Sequence, residues 1–332
     1  LDEDTIGKFR LGFAPDGSGA LKAALRRENI TDEQMIAAGL LIQPEDKSRQ
    51  AYDRFRNRVV FPITDKRGRV IAFGGRMMAG GDGKKLAKYL NSPETELFHK
   101  GRVLYNLAQA SNVSRDQGTV IVTEGYMDVI ALSQAGFENA VAPLGTALTE
   151  EQMAELWKVV REPVVCFDGD NAGVRAQGRA AERALALLRP GYALRFAALP
   201  AGEDPDSLIA TKGPEAMREV IARADPLSEV LWRLETGGRL LKTPEQRASV
   251  QKALEDHARR INDPTVRAHF LKDFKDRIWL ISSRGARKLA PTIGIGAGAA
   301  TIAKIDAHTL QERILIATLL GHPELFGQVG EN

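Results

Sequence analysis

The chain has 332 residues, a formal net charge of +3, 43% hydrophobic and 27% charged residues, the composition of a soluble globular protein long enough for two or three cores. No apolar run approaches a membrane span, so no membrane role is expected. The one cysteine, Cys166, excludes an internal disulfide or a cysteine-rich zinc site within these residues, so zinc is not expected. Inside a strand pattern, that cysteine reads as an inert core thiol of a reducing cytoplasm. The opening LDEDTIGKFR carries neither an initiator Met nor a signal peptide, and an excised fragment is expected.

Residues 15–50 are predicted helical: LKAALRREN and TDEQMIAAGLL place apolar residues every three to four positions, with Thr31 as N-cap and Gln34 at the capping-box position. RVVFPIT and RVIAFGGRMM are strand-like and joined by Asp65-Lys66-Arg67-Gly68, which reads as a hairpin. A Gly- and Lys-rich loop, AGGDGKK, follows at 79–85. From 117 the pattern alternates: strand 119–123, helix 126–135, strand 139–143, helix 149–160, strand 163–167, helix 171–188, strand 193–199. Each connection is long enough for a crossover helix, which implies a parallel α/β sheet. Residues 214–283 hold only helical signals and read as a small bundle. APTIGIGAGAA (290–300) is a linker by composition.

Charge is distributed unevenly. Residues 49–102 carry thirteen Lys/Arg against five Asp/Glu, whereas 117–206 carry seven against thirteen. A basic block before an acidic one fits a surface that tracks a phosphate backbone beside one that holds cations. Two oppositely charged solvated faces would leave the same trace. Arg54, Arg56 and Arg58 alternate with Phe55 and Asn57, as one exposed face of a strand would.

The acidic residues fall at predicted strand ends. VIVTEGYMD places Glu124 and Asp128 at a strand-to-helix junction, PVVCFDGD ends in Asp168 and Asp170, and Glu203-Asp204-Pro205-Asp206 follows LRFAALP. Ligands of open parallel sheets bind at the carboxyl ends of strands, and a partly open Asp-x-Asp pair suits a hard divalent cation. Two such ions can hold the attacking and leaving oxygens of an in-line phosphoryl displacement. Each residue also has a structural reading. Asp170 can cap the following helix, Asp128 lies where a macrodipole favours an acid, and Asp204 and Asp206 can shape a turn around proline.

Glu124 with the Asp168–Asp170 pair on this β/α pattern resembles the TOPRIM domain of topoisomerases, primases and some nucleases. RFRNRVVFPITDKRGRVIAFGGR (54–76), KYLNSPETELFHKGRVLYNL (88–107), VTEGYMDVIAL (122–132), DGDNAGVRAQGRA and GEDPDSL closely resemble bacterial DNA primase of the DnaG type, over roughly residues 7–285. The resemblance implies a TOPRIM-type parallel sheet (117–207) flanked by an N-terminal mixed α+β basic subdomain (1–116) and a C-terminal helical bundle (208–285). A linker (286–308) and the start of a helicase-docking domain (309–332) would follow. It further implies an enzyme of the replication fork in the bacterial cytoplasm, polymerising ribonucleoside triphosphates into RNA primers on a single-stranded DNA template with two or more Mg²⁺ or Mn²⁺ ions. Glu124, Asp168 and Asp170 would form the metal centre, supplemented by Asp128, Asp204 and Asp206. Arg76, Lys88, Tyr89, Asn91, Ser92 and Lys100 would meet nucleotide or template, with Arg54 and Arg58 as template contacts. The family's zinc-binding domain has no counterpart here, and LQERILIATLLGHPELF matches only the beginning of the helicase-docking domain, so neither template-sequence recognition nor helicase binding is expected of these residues. A TOPRIM nuclease or topoisomerase, and a non-catalytic nucleic-acid binder, are the competing readings.

Overall fold

The structure, a computed structural model, describes residues 1–17, 19–46, 48–78, 87–237 and 241–288. The loop predicted at 79–85, the linker at 290–300 and the segment from 309 lie outside the described residues. Residues 1–285 form one compact unit.

The N-terminal part holds helix α1 (Glu3–Lys8), strand β1 (Gly12–Ala14), helices α2 (Ala20–Arg27) and α3 (Asp32–Ala37), and strands β2 (Leu41–Ile42), β3 (Tyr52–Asp53), β4 (Arg58–Thr64), β5 (Val70–Met77) and β6 (Tyr89–Asn91). Thr31 and Gln34 form the predicted capping box at the start of α3. Helix does not continue to residue 50. Gly39 turns the chain at φ 69°, where an added Cβ would lie 2.6 Å from Pro93 Cδ, and Leu41–Ile42 then pairs with Tyr52–Asp53. The antiparallel sheet runs in the order β1-β4-β5-β6. Its β4–β5 connection is the predicted hairpin: Asp65 Oδ1 accepts from the amides of Arg67 and Arg69, and Gly68 takes φ 79°.

One expectation fails on this sheet. Arg54, Arg56 and Arg58 do not share an exposed face, because Asn57 sits at φ 49° and breaks the alternation just before β4. Arg58 is 4% exposed, and its guanidinium donates to the carbonyls of Gly75, Ala87 and Lys88. It clamps β5 to the chain entering β6 and presents no charge to a template. Arg58→Ala removes the side-chain donor from three carbonyls, of which Lys88 O keeps the Met77 N–H, and opens a cavity; a loss of about 2–4 kcal/mol in chemical unfolding is expected.

Helix α4 (Leu107–Gln117) leads into the alternating region: β7 (Ile121–Val122), α5 (Tyr126–Gln134), β8 (Ala140–Val141), α6 (Glu150–Val159), β9 (Val164–Val165), α7 (Asn171–Ala184), β10 (Arg195–Phe196), α8 (Pro205–Ala222) and β11 (Asp225–Pro226). The sheet order is β11-β10-β9-β7-β8, parallel except for the edge strand β11. β11 interrupts the stretch predicted as wholly helical. Formal strands are two residues long, yet the ladder continues past them, as in Thr123 N–H to Val141 O and Cys166 N–H to Val122 O. Alternation sorts the strand residues between two cores. Val122, Val141, Val165 and Phe196 face α6 and α7, while Ile121, Ala140, Val164 and Cys166 face α5 and α8.

Those two faces stack residues 1–285 in layers. The N-terminal sheet, through Phe61, Ile63 and Ala72, joins the α5/α8 core, and helices α9 (Leu227–Thr236), α10 (Pro244–Arg259) and α11 (Pro264–Lys288) join the α6/α7 core. Fully burying side chains such as Phe61, Leu132, Leu156 and Phe274 contributes roughly 1.5–3 kcal/mol each. The α8 segment is two helices meeting at Gly213 (φ 79°), where Pro214 begins the second. No helix among the described residues is long and apolar enough to cross a membrane.

Candidate active site

Chain order across the parallel sheet decides where a site can form. After β7 the chain crosses on the α5 face to β8; after β9 it crosses on the opposite, α7 face to β10. The crevice of such a sheet opens beyond the carboxyl ends of the two strands where the direction reverses, here β7 and β9. Glu124 and Asp168 follow those two strands. The amide of Asp168 donates to Glu124 Oε1 at 3.2 Å, tying the two strand ends together across the crevice.

Backbone packing brings the third acidic segment alongside. Gly169 N–H donates to Glu203 O at 2.8 Å and Gly202 N–H donates back to Gly169 O at 3.2 Å. A Cβ at Gly169 would lie 2.1 Å from Pro200 O, so only glycine lets the 168–170 loop press against 200–203. Three of the acids also carry the structural role that their sequence positions allow. Asp170 Oδ1 caps α7 by accepting from Ala172 and Gly173, Asp128 Oδ2 accepts from Gly125 at the start of α5, and Asp204 Oδ1 accepts from Ser207 at the start of α8. Each cap engages one carboxylate oxygen of the residue.

Electrostatically the cluster is under tension. Burial and the nearby Glu124, Asp204 and Asp170 raise Asp168 to about 6. Burial and the charges of Asp168, Asp204 and Asp206 raise Asp128 to about 7, against the lowering effect of the Gly125 amide. Glu124 is raised by burial and by Asp170, while the Asp168 amide and the Arg179 guanidinium act the other way. Asp168 Oδ1 is buried and accepts no hydrogen bond. Crowded, partly desolvated carboxylates with an orphaned oxygen are a donor set that a hard divalent cation would satisfy. Among the described residues no three His, Cys, Asp or Glu side chains already converge as a formed metal shell. The residues present fit such an ion through carboxylates that would draw together around it. Cys166, one strand face away, is fully buried, and burial pushes its thiol up to about 12, as expected of an inert core residue.

The basic residues separate into two groups. Arg76 on β5 lies opposite Tyr89 on β6, and Lys88 Nζ sits 5.8 Å from the Tyr89 ring centroid. Arg76 and Lys88 line an open cleft of about 600 Å³ with Val59, Phe61, Met77 and Met127. The charges of Arg76, Asp128 and Asp204 all reach the Tyr89 phenol, so this strand pair stands beside the acidic cluster. Asn91 and Ser92, from the same motif, do not offer free groups. Ser92 is fully buried and its hydroxyl accepts from Phe73 N–H, while the Asn91 amide is engaged at both ends. Arg54 is half-buried and donates to Asn91 O, and Lys100 is held through its backbone, by Glu94 and Gln152. The sequence reading missed Arg179, the cation that reaches Glu124. Its signal was present in the Arg175, Arg179, Arg183 spacing along α7.

With that geometry in place, comparison with known proteins is informative. Residues 1–111 match the family model of the DNA primase catalytic core, N-terminal domain, and residues 118–198 match a Toprim domain model. DNA primase of Escherichia coli K12 is 38% identical over 325 residues, covering 98% of this chain and 55% of that protein, so the chain spans about half the length of this relative. A DNA primase domain from Pseudomonas aeruginosa superposes with a TM-score of 0.76 at 42% identity, over 87% of this chain and 89% of that one. A DnaG primase catalytic domain bound to single-stranded DNA gives 0.74 at 39%, over 84% and 86%.

Proposed function

The chain belongs to the bacterial DNA primase family of the DnaG type, and from that premise we propose that it polymerises ribonucleotides into RNA primers on single-stranded DNA at the cytoplasmic replication fork, in a reaction that depends on divalent metal. In this reading residues 1–116 form the basic subdomain, 117–207 the metal-binding TOPRIM domain and 208–285 the helical subdomain. The observation that carries it is the convergence of three strand-end acidic segments beside a strand pair bearing Arg76 and Lys88.

Glu124, Asp168 and Asp170 would hold Mg²⁺ or Mn²⁺, with Asp204 and Asp206 supplementing them at the neighbouring loop. Bound there, the metal supplies Lewis-acid charge that favours the deprotonated 3′-hydroxyl and offsets charge on the leaving pyrophosphate. Arg76 and Lys88 bind and orient the triphosphate from the facing strands, where fixed cations need no reorganisation as charge develops. Tyr89, 42% exposed beside Lys88, offers a stacking face for a base. Asp128, raised to about 7 and within charge range of Asp168, can take up or release a proton near neutral pH at its free carboxylate oxygen.

The test is primer synthesis from ribonucleoside triphosphates on single-stranded DNA, with Mg²⁺ or Mn²⁺ and with chelator. Metal-dependent product is expected; wild-type protein that makes none under any condition overturns the reading. Metal should also act on the fold without nucleotide. Millimolar Mn²⁺ is expected to raise the melting temperature of the wild type by a few degrees at pH 8, because it relieves repulsion among Glu124, Asp168 and Asp170. That shift should be absent from Asp168→Asn.

A further inference from the structure

We propose that Tyr126 is a positioning residue that fixes the cationic strands β5 and β6 against the carboxylate-bearing strand ends, acting through Asn91. Tyr126 opens α5, two residues after Glu124 and two before Asp128. Its ring is 5% exposed and crosses out of the TOPRIM-type domain into the N-terminal sheet. There it stacks on Phe61 of β4 at 5.1 Å and 8° and meets Tyr105 edge-on at 4.9 Å and 83°. Gly74 of β5 makes room for it, since a Cβ there would lie 2.7 Å from Tyr126 Cζ.

The phenol then makes one specific bond, donating to Asn91 Oδ1. Asn91 sits on β6 directly opposite Gly74 and donates its own Nδ2 to Leu144 O at 2.8 Å, in the loop after β8. Both ends of one amide on the cationic sheet are therefore fastened to the acidic domain. Tyr89 is two residues away on the same strand and opposite Arg76, so this fastening sets the distance between the phosphate-binding cations and the carboxylates. Ring packing alone would allow β6 to slide along α5, because dispersion contacts carry little direction; the hydroxyl supplies the register. Misplacing reacting groups by about 1 Å can cost roughly 10²-fold in rate.

Tyr126→Phe keeps the ring and removes the bond, and Asn91→Ala removes the other partner. The kinetic readout rests on the polymerase reading above, whereas amide hydrogen exchange does not. In Tyr126→Phe, kcat/KM for ribonucleotide incorporation should fall by about 10- to 100-fold. Exchange at the β6 amides should accelerate while that of β7 and β9 stays unchanged. Mn²⁺ affinity should match the wild type, and the Tyr126→Phe/Asn91→Ala double variant should be no worse than the more damaging single one. Wild-type kcat/KM in Tyr126→Phe, additive losses in the double variant, or lost activity that merely tracks the unfolded fraction with unchanged β6 exchange would each overturn the proposal. Should the wild type synthesise no primer, the polymerase reading fails, and unchanged β6 exchange in Tyr126→Phe then overturns the latch on its own.

Discussion

Asp168→Asn is expected to lose at least about 10³-fold in primer synthesis while melting at a higher temperature than the wild type at pH 8 in chelator. The two effects have one origin. Asp168 is raised to about 6 by burial and by Glu124, Asp204 and Asp170, and its buried Oδ1 accepts no hydrogen bond. A carboxyl whose pKa is higher in the native state binds more protons there than in the unfolded chain between about pH 4 and pH 6. Stability therefore falls as pH rises through that window, and the penalty is fully present above the folded pKa. Asparagine carries no charge at any of these pH values, so it removes a penalty on the order of 1–2 kcal/mol at pH 8, solvent at this half-buried group screening part of the full shift, and none near pH 4. The melting-temperature advantage of the variant should shrink to nothing between pH 8 and pH 4. Mn²⁺ should narrow the gap at pH 8 by stabilising the wild type alone. A variant less stable than the wild type at both pH values, with activity lost in the same proportion, would show that Asp168 holds the fold rather than the metal.

Much of this arrangement is legible in the sequence, and the limits have physical causes. Alternation of buried strands with amphipathic helices announces the parallel sheet, and the acids stand out because they recur at three strand ends, although Asp128, Asp170 and Asp204 also cap the helices that follow. The basic strands are harder to read, because an arginine looks the same in sequence whether it faces solvent or caps carbonyls. Arg58 belongs to the second kind, and a single left-handed residue, Asn57, decides it. Ser92 is likewise turned inward by its place at the end of β6, where it continues the pairing with Phe73. The contacts between Tyr126, Gly74 and Asn91 join segments far apart in the chain, and no local periodicity reports such a meeting.

Gly173→Ala is expected to lower the melting temperature by roughly 5 °C and to reduce primer synthesis at least about 10²-fold, although the change adds one methyl group to a helix. A Cβ at this position would lie 2.0 Å from Asp168 O and 2.8 Å from Asp168 C. The first turn of α7 rests directly on the peptide that carries Asp168, the aspartate proposed to hold metal. Neither side can give way freely. Asp168 is held by its amide bond to Glu124 Oε1 and Gly169 by its bond to Glu203 O, while the turn is held by Asp170 Oδ1 accepting from Ala172 and Gly173. Any movement that relieves the overlap displaces Asp168, Asp170 or both. Gly178 provides the control within the same helix. Its Cβ would meet Leu234 Cδ1 at 3.7 Å, an ordinary contact, so Gly178→Ala should be neutral or gain up to about 1 kcal/mol from helix propensity. Equal losses in the two variants would mean that α7 tolerates no added side chain for general reasons. A loss confined to Gly173→Ala, larger in activity than the unfolded fraction explains, identifies the contact with Asp168 as what sets the carboxylates.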